Sequence, residues 1–361
     1  MEQQQDLLAP TAVYLKESVA PQAESMDWDS EVLFAALQGL GERSLLGLRV
    51  PQQFGGAAVS PETFQTFQLL VARYSGALAF LQTQHQSAVS FIAQSQNQAL
   101  QQAYLPAMAT GRRLVGVGFS HLRRQDDPPL KAIAVDGGYQ LQGRVPWVTG
   151  WDIFQDFVVA ATLPNEQSVF GIVPFQATLQ AQGGCLRFSQ PMALAAMTAT
   201  NTVTAELKEW FLPQAQVIDL KSAGWIQAND KRNILRPTPL VLGCARSSLD
   251  ILATAEQTKS FTFITEALFA LQAELTKCHE AILQTQQHSH TSFTEKLALR
   301  AWAINLAVRC AHAAVTVSSG AANSIHHAAQ RVYRETLVLT VSGQTPEIMR
   351  ATLAECIRYD P

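Results

Sequence analysis

The sequence predicts an α+β chain in three parts: a helical N-terminal region, a middle β-barrel or β-sandwich, and a C-terminal helical bundle. Three observations carry this. Apolar residues recur at helical spacing to about residue 112. At Leu114 the pattern switches to the two-residue alternation of half-buried strands and keeps it to about Leu220. After Asn229 helical spacing returns, with Ala-rich stretches suited to close helix packing. The expected parts are 1–112, 113–225 and 226–361.

The chain bears this out in order. Leu7, Leu8, Val13, Leu15 and Val19 form a helical stripe that stops at Pro21, and Trp28-Asp29-Ser30 gives the next helix a polar start. Val50-Pro-Gln-Gln-Phe-Gly-Gly56 is a turn-rich loop. Ser60-Pro61-Glu62 supplies an N-cap, a proline at the first helical position and an acid in the first turn. Ser75-Gly76 interrupts the helical run, His85 reads as a hydrogen-bonded core or cleft histidine, and Gln98 to Met108 is a short last helix. Leu114 to Ser120 reads as a strand. Its Gly116-x-Gly118 lacks the third glycine and following helix of a dinucleotide site. Asp136-Gly-Gly138 is a turn, followed by a strand with Tyr139, Leu141 and Gly143 on one face that ends at Trp147-Val-Thr-Gly150. Strands follow at 157–162, 169–173 and 202–207, and helices at 239–254, 261–284, 295–318, 328–336 and 346–357, with a polar loop at 286–292 carrying His288 and His290.

Composition excludes several functions. Apolar residues are 47% of the chain and charged residues 15%, enough for a large core and too few charges for a disordered chain. A net charge of −3 without a basic block argues against nucleic acid and anionic membrane as partners. Leu297 to Val317 is apolar but broken by Arg300, Arg309 and His312, so it reads as a buried helix and no membrane span is expected. No secretory signal is visible at the N-terminus, and the five cysteines are scattered, as expected for free thiols in the cytoplasm. Cys310-Ala-His312 has no second ligand pair, and no metal site is expected.

On the residues alone Trp147 reads as a core aromatic. The spacing Gly-Tyr-x-Leu-x-Gly-x-x-x-Trp-Val-Thr over 138–149, however, resembles the acyl-CoA dehydrogenase family. The resemblance spans almost the whole chain. It includes Val50-Pro-Gln-Gln-Phe-Gly-Gly56, Ser75-Gly-Ala-Leu-Ala-Phe80 with His85, Tyr104-Leu-Pro-Ala-Met-Ala-Thr-Gly111, Val332-Tyr-Arg-Glu335 and Gly343-Gln-Thr-Pro-Glu-Ile-Met-Arg350. It implies FAD, with FMN or a reduced flavin as alternatives, and a role for each site residue. Trp147, Val148 and Thr149 would line the flavin ring, and Ser120 and His121 its pyrimidine side. Ser319 and Gly320 would approach a neighbouring subunit's cofactor, while Thr345 and Glu347 fall near the adenine end. It also implies an acyl-CoA substrate, a homodimer or homotetramer, and an electron-transfer or reductase partner.

The departures from the family pattern are local. The family's Thr-Glu-Pro-x-x-Gly-Ser-Asp is replaced by Ser120-His-Leu-Arg-Arg-Gln-Asp-Asp-Pro-Pro129, where Arg123 and Arg124 are either phosphate partners or solvated charges. The Arg-x-x-Phe-Gly segment that crosses the family's dimer is absent, since Lys259-Ser260 runs directly into Phe261. Phe-Gly-Gly-x-Gly is reduced to Ser318-Ser-Gly-Ala-Ala322. Ser342 falls at the position of the catalytic glutamate, and Asn233 at the alternative position used by a minority. Three functions follow: a flavin-dependent oxidoreductase acting on a CH–CH group of an acyl thioester or similar substrate, a two-component flavin monooxygenase of the same fold, or a non-catalytic binding or scaffold protein.

Overall fold

A computed structural model describes residues 2–124, 126–287 and 291–357. His288 and His290 lie outside the described residues. The N-terminal helices are α1 (Glu2–Tyr14), α2 (Ser25–Trp28), α3 (Ser30–Glu42), α4 (Pro61–Tyr74), α5 (Gly76–Ala93) and α6 (Gln98–Ala109). Their starts follow the local chemistry. Asp29 accepts hydrogen bonds from Glu31 N and Val32 N, Ser60 from Thr63 N, and Ser75 from Leu78 N, each satisfying amides that a helix leaves without partners. The stripe expected to stop at Pro21 instead continues past α1 as a wide turn and then a tight one, ending at Gln22.

The strands are β1 (Val115–Gly118), β2 (Leu130–Val135), β3 (Gly138–Val148), β4 (Asp156–Thr162), β5 (Ser168–Pro174), β6 (Thr178–Leu179), β7 (Cys185–Phe188), β8 (Val203–Pro213) and β9 (Val217–Lys221). They form one nine-stranded sheet in the order β6-β7-β8-β3-β2-β4-β5-β9, with β1 beside β4. A single parallel pair, Lys131 with Thr162, joins its two halves. The halves fold onto each other, for a Cβ on Gly171 of β5 would strike the Leu212 side chain of β8. The Asp136-Gly-Gly138 turn closes the β2–β3 hairpin with Gly137 at φ +76. β4, the next strand in sequence, pairs with β5 and β1 rather than β3, so β3 and β4 do not form a meander.

The C-terminal helices are α7 (Trp225–Arg232), α8 (Thr238–Lys259), α9 (Thr262–Gln287), α10 (Phe293–Ser318), α11 (Ala328–Thr340) and α12 (Pro346–Cys356). Leu242, Leu252, Leu275, Cys278, Ile304 and Ala307 build their shared core. Among the described residues no helix is long and apolar enough to cross a membrane. α11 is held to the rest of the chain by polar contacts. Arg334 reaches the buried Asp27 at 2.6 Å, and Asp27 also accepts from Met197 N. Within α11 itself the fully buried Glu335 accepts from Arg331, one turn earlier, at 2.8 and 2.9 Å.

Candidate functional site

The end of β3 is shaped by a proline. Val145 faces Ala205 and Val148 faces Val203, so β3 carries an extra residue against β8. Pro146 lies within that bulge, where a residue without an N–H is tolerated, and its carbonyl accepts from Thr204 Oγ1 at 3.0 Å. The bulge re-aims Trp147, which is 48% exposed between two fully buried valines. Trp147 is therefore a surface indole and not the core aromatic that its residue type suggests. Val148 points the other way, into the core against β1. What Val148 leaves for a ligand is therefore its backbone. Thr149 is buried, with its hydroxyl 3.0 Å from that of Thr202.

β1 leads into this wall. Its glycines are required by close packing, since a Cβ on Gly118 would stand about 3 Å from Val145, Val148 and Phe157. Ser120 follows, exposed, at the start of a tight turn. His121 is buried in that turn and donates from Nε2 to the Ala160 carbonyl at 3.0 Å, while Nδ1 has no partner. Burial lowers its pKa to about 4, so the ring is neutral. Arg123 grips Asp230 of α7 with two bonds of 2.7 and 2.9 Å. That geometry corrects the reading of Arg123 as a phosphate partner, because its fork is already filled.

The other expected residues belong to the C-terminal helices. Ser319 ends α10 at φ +55, and both it and Gly320 are exposed. α8 ends at Lys259, capped by Ser260, and α9 begins at Thr262, so no segment extends from that corner. Thr345 caps α12, accepting from Ile348 N at 3.4 Å. The Glu347 carboxyl is held below its ordinary range by its own backbone N–H and the Thr345 hydroxyl, the arrangement of a helix-capping acid.

Ser342 lies in the α11–α12 turn with its hydroxyl turned back to the Val338 carbonyl at 3.2 Å. Ser342 carries no acid. The nearby candidates for a base are occupied elsewhere. Glu335 is sealed against Arg331, His327 Nδ1 accepts from Ala329 N at the start of α11, and His326 contacts Glu24 at 2.6 Å. Asn233 donates to Asn229 at the end of α7. Cys310 is buried with its thiol pushed up to about 12, while His312 turns toward Tyr333.

Arg300 and the Arg236-Pro237 step lie beside this turn. Arg300, with no exposed surface, donates from Nη2 to the Ser342 carbonyl at 3.0 Å and leaves Nε and Nη1 without partners. Arg236 precedes Pro237, and a Cβ on Gly343 would stand 3.5 Å from Pro237 Cγ. Arg49 lies over the Phe64 ring at 5.1 Å and feels the like charge of Arg236. Burial lowers the pKa of all three, to about 10 for Arg49 and Arg300, and no carboxylate offsets it.

The profile described as "Acyl-CoA dehydrogenase, N-terminal domain" matches residues 1–112, and "Acyl-CoA dehydrogenase, C-terminal domain" matches 223–357. A probable acyl-CoA dehydrogenase of Bacillus subtilis is 22% identical over 94% of each chain. A 3-(aryl)acrylate reductase of Clostridium sporogenes is 20% identical over 94% of each chain. The glutaryl-CoA dehydrogenase of Mycobacterium smegmatis superposes with a TM-score of 0.82 at 16% identity, covering 99% of this chain and 95% of that one.

Proposed function

The chain belongs to the acyl-CoA dehydrogenase family, a family of FAD-binding flavoproteins, and from that premise we propose a flavin-dependent oxidoreductase acting on the CH–CH group of an acyl thioester or similar substrate. The observation that carries this is Trp147, an indole turned outward by a bulge two residues before the buried Thr149. Such a wall fits the face of a flavin ring, with the Val148–Thr149 backbone beside it. The diphosphate end fits less well, because Arg123 is spent on Asp230 and the α8–α9 corner is short. We therefore expect a loosely held flavin, FAD or the smaller FMN. When bound, it supplies the acceptor for a hydride. The chain's own part is to hold the ring at Trp147 and to hold substrate at the α11–α12 turn. A homo-oligomer in the cytoplasm, exchanging electrons with a partner protein, completes the proposal.

A second reading, a binding protein without catalysis, is favoured by the base position. Ser342 is bonded back to its own helix and cannot take an α-proton as a carboxylate does, which typically removes a factor of ~10²–10⁴ in rate. An absorbance scan of the purified protein, with titration of FAD and FMN, separates the readings. We expect a flavin spectrum whose affinity falls in Trp147→Ala. Acyl-CoAs mixed anaerobically should bleach the flavin slowly in the native protein and faster in Ser342→Glu. Absence of flavin binding favours the binding protein. Unchanged affinity in Trp147→Ala removes the indole from the site.

A further inference from the structure

We infer that Asp27 is a positioning residue for the wall at Trp147 and Thr149, and that it ties the setting of that wall to α11. Asp27 has no exposed surface, and its two oxygens face segments far apart in sequence. Oδ1 accepts from Met197 N at 2.5 Å, and Oδ2 accepts from Arg334 Nη2 at 2.6 Å. Arg334 is steadied from a second side by Trp28, with its guanidinium carbon 4.7 Å from the ring centroid. Three parts of the chain thus converge on one carboxylate: the short α2, the loop between β7 and β8, and α11. A buried ion pair is costly to desolvate and is often no gain over apolar packing. What the carboxylate supplies here is direction, since each oxygen fixes one segment.

The segment fixed through Oδ1 is strained and leads to the wall. Met197 has φ +57 and Asn201 has φ +47, both in the left-handed region. Asn tolerates that region, but Met rarely enters it, so the neighbours of Met197 must enforce it. Between the two, Thr198–Thr200 form a tight turn, with Thr200 Oγ1 donating to the Met197 carbonyl at 2.7 Å. The far end of this turn is stitched to the residues that follow β3. Gly150 N donates to the Thr200 carbonyl at 2.8 Å and Trp151 N to the Asn201 carbonyl at 3.1 Å. Asn201 Nδ2 returns a bond to the Trp151 carbonyl at 3.3 Å, and the Thr202 hydroxyl lies 3.0 Å from that of Thr149. Hydrogen bonds and one strained turn therefore join Asp27 to Thr149, two residues past Trp147. Because the other oxygen holds α11, a displacement of that helix reaches the wall by the same route.

This role rests on the flavin reading of the wall, but its tryptophan test needs no flavin, so either can fail alone. The chain has six tryptophans. Fluorine NMR of the full chain labelled with fluorotryptophan reads the wall directly, with two signals assigned from Trp147→Phe and Trp151→Phe. We expect Asp27→Asn and Arg334→Gln to shift or broaden both signals. Asp27→Ala should move them further, because it also removes the acceptor for Met197 N. The Trp225 and Trp302 signals should stay in place, and Arg334→Lys, which keeps the cation, should retain the native spectrum. In titration with FAD, the affinity of Asp27→Asn should fall about 10-fold, the scale of one hydrogen bond lost. Where Asp27→Ala does not fold, Asp27→Asn and Arg334→Gln decide. Native Trp147 and Trp151 signals in both overturn the inference even if both melt lower, since Asp27 then contributes to folding alone. Equal shifts at Trp225 and Trp302 overturn it as well, because they mark a general loosening. So does native FAD affinity in Asp27→Asn. A native protein that binds no FAD would remove the flavin reading and leave the tryptophan signals to decide this one.

Discussion

Ser319 holds its backbone at φ +55 and ψ −140, a region that glycine enters freely and a side chain does not. The surrounding helix end enforces it, with Ser319 N bonded to the Thr316 and Val315 carbonyls. Ser319→Gly should relieve the strain, offset by the greater freedom of glycine in the unfolded chain, for a net gain of about 1 kcal/mol by urea unfolding. A loss of stability would show that the serine makes a contact worth more than its strain. Burial of neutral imidazoles predicts a response to acid. His85 accepts from Val115 N and donates to the Met108 carbonyl, and burial lowers its pKa, like that of His121, from 6.5 to about 4. Between those values the unfolded chain binds protons that the folded chain refuses. Stability therefore rises with pH across this window and is lost on acidification, by about 1.4 kcal/mol per pH unit for each histidine. Urea midpoints at several pH values between 4 and 7 check it, and His121→Gln should flatten the slope by about one proton. His85 was legible in the sequence as a hydrogen-bonded interior histidine. Trp147 was not, because residue type says core and only the pairing of β3 with β8 reveals the bulge.

Helices were the most legible elements, for a physical reason. Their caps and apolar stripes are local, so Ser60-Pro61-Glu62 and Ser75-Gly76 mark real starts. α7 was missed up to Asn229 because only Ile226 of its eight residues is buried, leaving no stripe to read. The strand partners were hidden since pairing is non-local: β4 follows β3 in sequence but pairs with β1 and β5. The seat of α11 was equally hidden. Gly76 opens α5 directly under Glu335, and a Cβ there would lie 2.7 Å from Glu335 Cδ. Glu335 cannot yield, because Arg331 holds both of its oxygens. Gly76→Ala should therefore cost about 1–3 kcal/mol by overpacking, measured by chemical denaturation. Glu335→Gln should cost more, about 3–5 kcal/mol, since it leaves Arg331 buried without its charge partner. If Gly76→Ala is neutral, α11 has room to shift and the seat is softer than its geometry implies.

At the scale of the whole molecule, the C-terminal helices leave an apolar face uncovered. Phe261 and Phe263 stack at 5.2 Å yet remain 52% and 65% exposed, and Phe269 is 66% exposed on the same helical region. Phe263, Leu252, Ile264, Ala267 and Val308 line a groove between α8, α9 and α10. Large aromatics gathered at a groove are costly to leave in water, by roughly 25 cal/mol for each Å² of apolar surface. A second copy of the chain, presenting the same face about a twofold axis, covers both at once. The composition that anticipated apolar helices in this region could not say which side stayed open, because that depends on what α10 and α8 already cover. We predict a homodimer, or a tetramer made of two dimers, by light scattering at micromolar concentration. Phe263→Glu together with Phe269→Glu should shift it toward monomer while leaving the circular dichroism unchanged, since both side chains lie outside the core. A native protein that is monomeric under those conditions would contradict the prediction. A double variant that keeps the native mass would place the interface on another face.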